Sequence, residues 1–304
     1  MDTRLTQSSP VVVIGMHRSG TRLAAQILER LGVFMGADQQ GDSESVTFML
    51  INEGILHQCS AFWSEPMPAH FALSQPEVVE RVAASTRRTL SARFGNFVGR
   101  SGWRPGPSAE GSQSGPKREG PRPGSSSERS RPFGWKDPRN TFTLPVWKQI
   151  FPKLRVLHIV RHGVDVAASL ARRHSKALRA STGEPVPPAL TVIRDHALGI
   201  LSSRRGWTLP EALTMWEQYV EKARIEMADL DDRALEIHFE DLLEQPDGVV
   251  PRVARFCGAP TSDGDNAAYE DLAAGRAFAF RRDRELVAFA DRSRGILERF
   301  GYSA

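Results

Sequence analysis

The sequence predicts an α/β fold with a central parallel sheet flanked by helices. Three observations predict it. Val11–Ile14 is a β-branched run bounded by Pro10 and Gly15, the pattern of a short strand buried on both faces. Arg155–Val160 repeats it, with Val156, Leu157, Ile159 and Val160 apolar. Each run passes directly into a helical periodicity, and strands alternating with helices favour parallel pairing.

Taken in order, the elements are as follows. Behind the first strand, Leu23, Ile27, Leu28 and Leu31 recur at helical spacing until Gly32 stops them. A second helix is predicted over roughly 45–58, with Phe48, Ile51, Ile55 and Leu56 on one face, and a third, more polar one over 78–94. The pattern breaks at Ser101. From there to Pro132, 32 residues hold six Gly, six Pro and eight Ser, and only Trp103 and Ala109 are apolar. Such a stretch buries too little surface to offset its ordering entropy. It reads as a disordered insertion, 101–132, within one domain spanning 1–304; a linker between two independent domains is the alternative. Order returns with a short strand over 133–135. The strand 155–160 enters a helix over 163–172. A long helix over 209–230, a strand at 234–239, a helix at 249–257 closed by Gly258 and a last helix over 284–300 follow. There is no internal repeat.

Composition bounds the function. Forty Lys and Arg against 36 Asp and Glu leave a net charge of +4. The 101–132 segment supplies most of it, with six basic and three acidic residues. The rest is nearly neutral, so charge gives no argument for a nucleic-acid partner. With 304 residues, 40% apolar and 25% charged, the chain can bury a substantial core, which excludes wholesale disorder and a disulfide mini-protein. Cys59 and Cys257 stand far apart without metal spacing and read as free thiols of a reducing compartment. No apolar run is long enough to span a membrane, and Met1–Pro10 lacks the apolar core of a signal peptide. A cytoplasmic protein is expected.

The first strand runs into Gly15-Met16-His17-Arg18-Ser19-Gly20-Thr21-Arg22 and then a helix. Backbone N–H groups and the helix dipole converge at such a turn and favour an anion. His17, Arg18 and Arg22 add cationic donors, and Ser19 and Thr21 add hydroxyls. The Gly15-to-Gly20 spacing is that of a Walker loop, but Thr21 and Arg22 stand where that loop needs Lys followed by Ser or Thr. The second strand delivers Arg161 where a Walker B strand delivers a metal-holding Asp. A nucleotide bound without a protein-held metal is therefore expected. Arg161 offers a planar fork for a second phosphate, and Ser169 on the following helix offers a short donor. The plainer alternative pairs Arg161 with Asp165 and leaves Ser169 as a packing residue.

These segments resemble the sulfotransferase family, whose sulfuryl donor is 3′-phosphoadenosine 5′-phosphosulfate (PAPS). The loop Gly15–Arg22 is similar to that family's 5′-phosphosulfate loop, and Arg161 with Ser169 to its 3′-phosphate motif. Phe133-Gly134-Trp135-Lys136-Asp137-Pro138-Arg139 resembles the W-K-D-P-R segment of bacterial members. His238-Phe239-Glu240-Asp241-Leu242-Leu243, followed by Pro246 and Phe256-Cys257-Gly258, resembles the family's R-Y-E-D-L…P…F-L-G stretch. The resemblance implies a P-loop-like nucleotide-binding fold and PAPS bound by His17, Arg18, Ser19, Gly20, Thr21, Arg22, Arg161 and Ser169. Arg22 departs from the family's usual Thr or Ser, and Phe239 from its Tyr.

Sulfuryl transfer needs a cation at the leaving phosphate and a base for the acceptor. Lys136 is the expected cation; its alternative is a surface lysine paired to Asp137. Glu44, opening the second helix, is the expected base; its alternative is a first-turn carboxylate complementing the dipole. Asp42 reads as an N-cap and His57 as structural. Trp216 and Tyr219 read as packing residues before acceptor-pocket residues. Arg276, Arg281, Arg282 and Arg284 either close over the 3′-phosphate or form a solvated face. The expected acceptor is a small molecule or a glycan offering a hydroxyl or amine. A P-loop nucleotide kinase or NTPase, and a non-catalytic nucleotide-binding protein of the same fold, are the competing readings.

Overall fold

The computed structural model describes residues 3–101, 131–181, 208–259 and 274–304. Most of the expected insertion, 101–132, lies outside the described residues. Four strands form one sheet in the order β2-β1-β3-β4: β1 (Val11–Ile14), β2 (Gly134–Lys136), β3 (Arg155–Val160) and β4 (Ala234–His238). Every pairing is parallel, with Val13 beside Lys136 on one side and Ile14 beside His158 on the other.

The strands are apolar at nearly every position because both faces are covered. Val11 and Val13 of β1 face a cluster with Leu157, Ile159 and Ile237. Helices α2 (Thr21–Arg30), α9 (Phe239–Glu244) and α10 (Pro246–Cys257) cover that side. Val12 and Ile14 face the larger cluster, built on α3 (Val46–Gln58), α5 (Pro76–Val98), α6 (Asn140–Ile150), α7 (Gly163–Ser181) and α8 (Leu209–Met227). Cys59 and Cys257 are buried free thiols on opposite faces.

The chain leaves β1 toward β2, crosses back over β1 to β3, and continues outward to β4. The loops after β1 and β3 thus depart in opposite directions, opening the crevice in which α/β proteins bind ligands.

The structure revises several sequence expectations. β2 begins at Gly134 and takes in Lys136, while Phe133 forms an isolated bridge with Phe34. Phe239 belongs to α9, not to a strand. The last helix is two, α11 (Arg284–Arg292) and α12 (Arg294–Arg299), broken at Ser293. Helices α1 (Thr3–Thr6), α4 (Met67–Ala72) and α6 were not expected. In α6 an internal Pro145 removes one backbone donor, but burial of Phe142, Leu144, Val146, Trp147 and Ile150 holds the helix together. Among the described residues no helix is long and apolar enough to cross a membrane.

Candidate active site

Three adjacent strands end at one cavity of about 470 Å³. β1 delivers the loop Gly15–Arg22, β2 delivers Lys136, and β3 delivers Arg161. Gly15 has φ +140°, and a Cβ there would lie 2.5 Å from the Ile159 carbonyl oxygen. Only glycine lets the loop turn so close to β3. Arg18 holds a left-handed φ of 73°, backbone strain of the kind found at ligand sites.

Arg18, Gly20, Thr21 and Arg22 line the cavity, as do Glu44, Lys136, Arg161 and Ser169. Arg18 Nε donates to Ser169 Oγ at 3.0 Å. Two residues of the loop behave differently from the expectation. The Ser19 hydroxyl is buried and donates to the Met16 carbonyl at 2.6 Å, so it tightens the turn and does not line the cavity. His17 lines the cavity, in surroundings that disfavour its charged form. Burial first, then the charges of Arg139, Arg173, Lys136 and Arg18, press its pKa well below 6.5. Its ring packs 4.6 Å from that of Trp63, and its buried Nε2 has no partner among the described residues.

Lys136 is 2% exposed and pairs with Glu44, Nζ to Oε1 at 2.9 Å. It is neither a surface residue nor bound to Asp137. Glu44 precedes the cap of α3, which is Ser45 accepting from the Phe48 N–H at 3.4 Å. Glu44 is therefore not a first-turn carboxylate, and Asp42 is not the cap but lines the cavity. Burial and the neighbouring Asp137 carboxylate push the Glu44 pKa up, while Lys136 and Arg139 pull it back.

A buried network fixes this pair. Asn52 of α3 donates to Asp137 Oδ2 at 2.9 Å and to Asn140 Oδ1 at 2.7 Å. Its carbonyl oxygen accepts from Thr143 and Trp147. Arg139 reaches Asp137 at 2.9 Å, Glu53 at 3.2 Å and Glu44 at 3.6 Å. Burial opposes its charge, but these three carboxylates outweigh burial and raise its pKa. Phe48 stacks on Trp135 at 3.9 Å, so α3, and Glu44 just before it, is clamped over the end of β2.

At the other end, Arg161 donates to the backbone oxygens of Arg18 (3.4 Å) and Arg276 (3.1 Å) and pairs with Asp165 at 3.2 Å. The plainer pairing is thus present, yet Arg161 still lines the cavity and its buried Nε has no partner among the described residues. Asp165 also accepts from the Ala279 and Phe280 N–H groups, which ties the segment carrying Arg276 to the site. Glu240 accepts from the His162 N–H at 2.9 Å and so holds the turn after Arg161. Phe239 lies beneath two guanidinium groups, 4.7 Å from Arg161 and 5.7 Å from Arg276. Of the four C-terminal arginines considered, only Arg276 lines the cavity; Arg281 lies over Phe278.

Trp216 and Tyr219 are fully buried, donating to the carbonyls of Arg161 and Trp63. His57 packs against Phe62. Sequence reasoning missed Arg172 and Arg173, which line the cavity; their place three and four residues after Ser169 put them on its helical face. The lining holds seven Lys and Arg side chains against two carboxylates. Such a surplus in one cavity suits a strongly anionic ligand.

A sequence profile of the sulfotransferase family matches residues 10–263. Comparison with curated protein sequences gives no match. Among solved structures, the sulfotransferase domain from the curacin biosynthetic pathway is similar with a TM-score of 0.50 at 12% identity, over 94% of this chain and 97% of that one. A sulfotransferase from Alicyclobacillus acidocaldarius has a TM-score of 0.46 at 16% identity, over 96% of this chain and 95% of that one. At 12% identity the curacin-pathway likeness speaks for the fold; the profile, matching well over half the chain, speaks for the family. The chain belongs to the sulfotransferase family.

Proposed function

We propose that the protein transfers a sulfuryl group from PAPS to a hydroxyl or amine of a small-molecule or glycan acceptor. The carrying observation is the buried Lys136–Glu44 pair in a cavity whose opposite end is the Arg161 cluster. The donor fits this chain's residues. Arg18 and Arg22 with the N-terminus of α2 suit a phosphosulfate, while Arg161, Ser169 and Arg276 suit a separate phosphate. The partnerless buried Nε of Arg161 is a donor left for a ligand.

PAPS supplies an activated sulfuryl group on a phosphate leaving group. Lys136 places a point charge where negative charge gathers on that phosphate. Glu44, its pKa raised above the usual 4.5, accepts the acceptor's proton. The Asn52–Asp137–Arg139 network holds both groups in place, so little reorganisation remains during the reaction. Two buried free thiols fit a cytoplasmic setting.

Calorimetry with adenosine 3′,5′-bisphosphate against ATP and ADP tests the proposal. Tight binding of the bisphosphate and weak binding of ATP is the expected outcome. Magnesium-dependent ATP turnover without affinity for the bisphosphate would overturn it in favour of a kinase or NTPase.

A further inference from the structure

Arg161 and His162 stand between the end of β3 at Val160 and the start of α7 at Gly163. The ladder to β4 ends before them, at Val160 beside His238, so the turn is held by bonds from elsewhere. The Arg161 carbonyl accepts from Trp216 Nε1 at 2.9 Å. The His162 N–H donates to Glu240 Oε1 at 2.9 Å. The His162 ring meets the Ser303 carbonyl oxygen through Nε2 at 3.0 Å. A carbonyl only accepts, so Nε2 carries the proton and Nδ1 accepts from the Val164 N–H at 3.3 Å. This is the neutral ring, in keeping with burial, which lowers its pKa.

Tyr302 joins these contacts. Its buried hydroxyl lies 3.0 Å from Glu240 Oε2 and 3.0 Å from His238 Nδ1. An ionised Glu240 only accepts, so the phenol donates to it and accepts from His238. A chain of donors thus runs from His238 through Tyr302 to Glu240, whose other oxygen holds the His162 N–H. Tyr302 and Ser303 are consecutive, so one short segment reaches the turn twice, through Glu240 and through the His162 ring. The terminal torsion of a glutamate is soft. With Oε2 held by the phenol, Oε1 is kept pointing at the His162 N–H. The Tyr302 ring packs edge-on against His162 at 5.1 Å and Trp216 at 6.2 Å, contacts that a phenylalanine would keep.

We propose that Tyr302 is a positioning residue for the 3′-phosphate end of the site: its hydroxyl orients Glu240, Glu240 fixes the Arg161–His162 turn, and the turn aims the Arg161 guanidinium into the cavity. The inference rests on the donor reading above. Arg161 lines the cavity with its buried Nε unpartnered among the described residues. A planar fork grips a phosphate only where the backbone that carries it is fixed. Tyr302 is not among the residues lining the cavity, so it acts through Glu240 and not on the ligand.

The test compares two nucleotides by calorimetry in the wild type, Tyr302→Phe, Glu240→Ala and the double variant, under conditions where each is folded. Tyr302→Phe should weaken adenosine 3′,5′-bisphosphate about fivefold, the scale of one net hydrogen bond. Adenosine 5′-monophosphate, which has no 3′-phosphate, should change by less than about twofold. In the Glu240→Ala background Tyr302→Phe should cost the bisphosphate nothing further, because its path to Arg161 is already cut. A hydroxyl that only stabilises the fold would lower the urea midpoint and leave the ratio of the two affinities unchanged, and that result overturns the inference. So does an equal loss for both nucleotides, or the same selective loss with and without Glu240. Where Glu240→Ala yields no folded protein, the ratio in Tyr302→Phe decides alone. Each of these outcomes leaves the donor reading standing; failure of the wild-type protein to bind the bisphosphate removes that reading, and the inference with it.

Discussion

Replacing Gly20 by alanine tests whether the anion loop and the Arg161 guanidinium form one mechanical unit. Gly20 caps α2 with φ 100° and ψ 9°, where an L side chain is disfavoured by about 1–2 kcal/mol. A Cβ there would meet Phe239 Cδ2 at 2.3 Å and Cε2 at 2.8 Å, well inside the roughly 3.5–4.0 Å of ordinary carbon contact. Phe239 is fully buried in the core on that face of the sheet, so the ring has nowhere to turn. Overpacking of this kind adds about 1–3 kcal/mol. The expected destabilisation is therefore about 2–5 kcal/mol. Its two parts are separable, because Phe239→Val removes both clashing atoms. In the Phe239→Val background, Gly20→Ala should cost only the backbone share, about 1–2 kcal/mol. Urea denaturation of the wild type, the two single variants and the double variant measures this. Because the Phe239 ring lies 4.7 Å beneath the Arg161 guanidinium, the single Gly20→Ala variant should also lose affinity for adenosine 3′,5′-bisphosphate. An equal cost in both backgrounds would refute the Phe239 contact. A cost well under 1 kcal/mol would refute the left-handed assignment as well.

Three further outcomes are expected. Lys136→Ala should keep most affinity for the bisphosphate and lose about 10²–10³ in kcat, the scale of one electrostatic stabiliser; in the same assay Glu44→Gln should abolish the fall in activity as pH drops through the raised Glu44 pKa. Arg161→Ala should weaken adenosine 3′,5′-bisphosphate by about one to two decades and adenosine 5′-monophosphate much less, as read by calorimetry; equal losses would remove Arg161 from the 3′-phosphate. Against the effect of burial, hydrogen bonds from His158 and Arg224 hold the Glu236 carboxyl far below its usual 4.5. A depressed folded-state pKa gives stability that is present above pH 4.5 and lost as pH falls below it. The stability gap between wild type and Glu236→Gln in denaturant should accordingly narrow from pH 6 toward about pH 3; a gap independent of pH would show that the pair does not bias folding.

What was legible in the sequence was whatever is encoded locally. β1 and β3 could be read at their full bounds, because a strand covered on both faces must be apolar throughout. The anion loop was legible because its chemistry sits in eight consecutive residues. That Arg161 and Ser169 come to one cavity was legible because they share one strand–helix unit. α6 was not. Its Pro145 argues against a helix, and the helix exists because its side chains are buried against α3, α5 and α8. The environment of His17 was hidden for a related reason. Three basic side chains in one loop suggest three cations, but Trp63 and Tyr219, both distant in sequence, pack against the ring, and burial with the neighbouring cations lowers its pKa. Arg172 and Arg173 are a different kind of miss. Their helical phase relative to Ser169 is in the sequence, but basic residues on a helix face water as readily as a ligand, and only the packed fold shows that they line the cavity.

The Lys136–Glu44 contact marks the limit of local reading, since its partners are 92 positions apart. The residue types suggested a cation and a base, but nothing in either segment said that they touch. Contact follows from strand order. β2 lies against β1, so Lys136 comes beside the start of the anion loop, and the Phe48–Trp135 stack brings the N-terminus of α3 over that same strand end. Arg161 ends β3, on the far side of β1. Neighbouring strands lie about 4.8 Å apart, so two strand spacings, about 10 Å, separate the strand ends that carry Lys136 and Arg161. That separation physically decouples the two ends of the site. On the proposed reading, Arg161 would determine how tightly a 3′-phosphate is held while Lys136 would act at the reacting end, so the variants at these positions should divide between binding and rate.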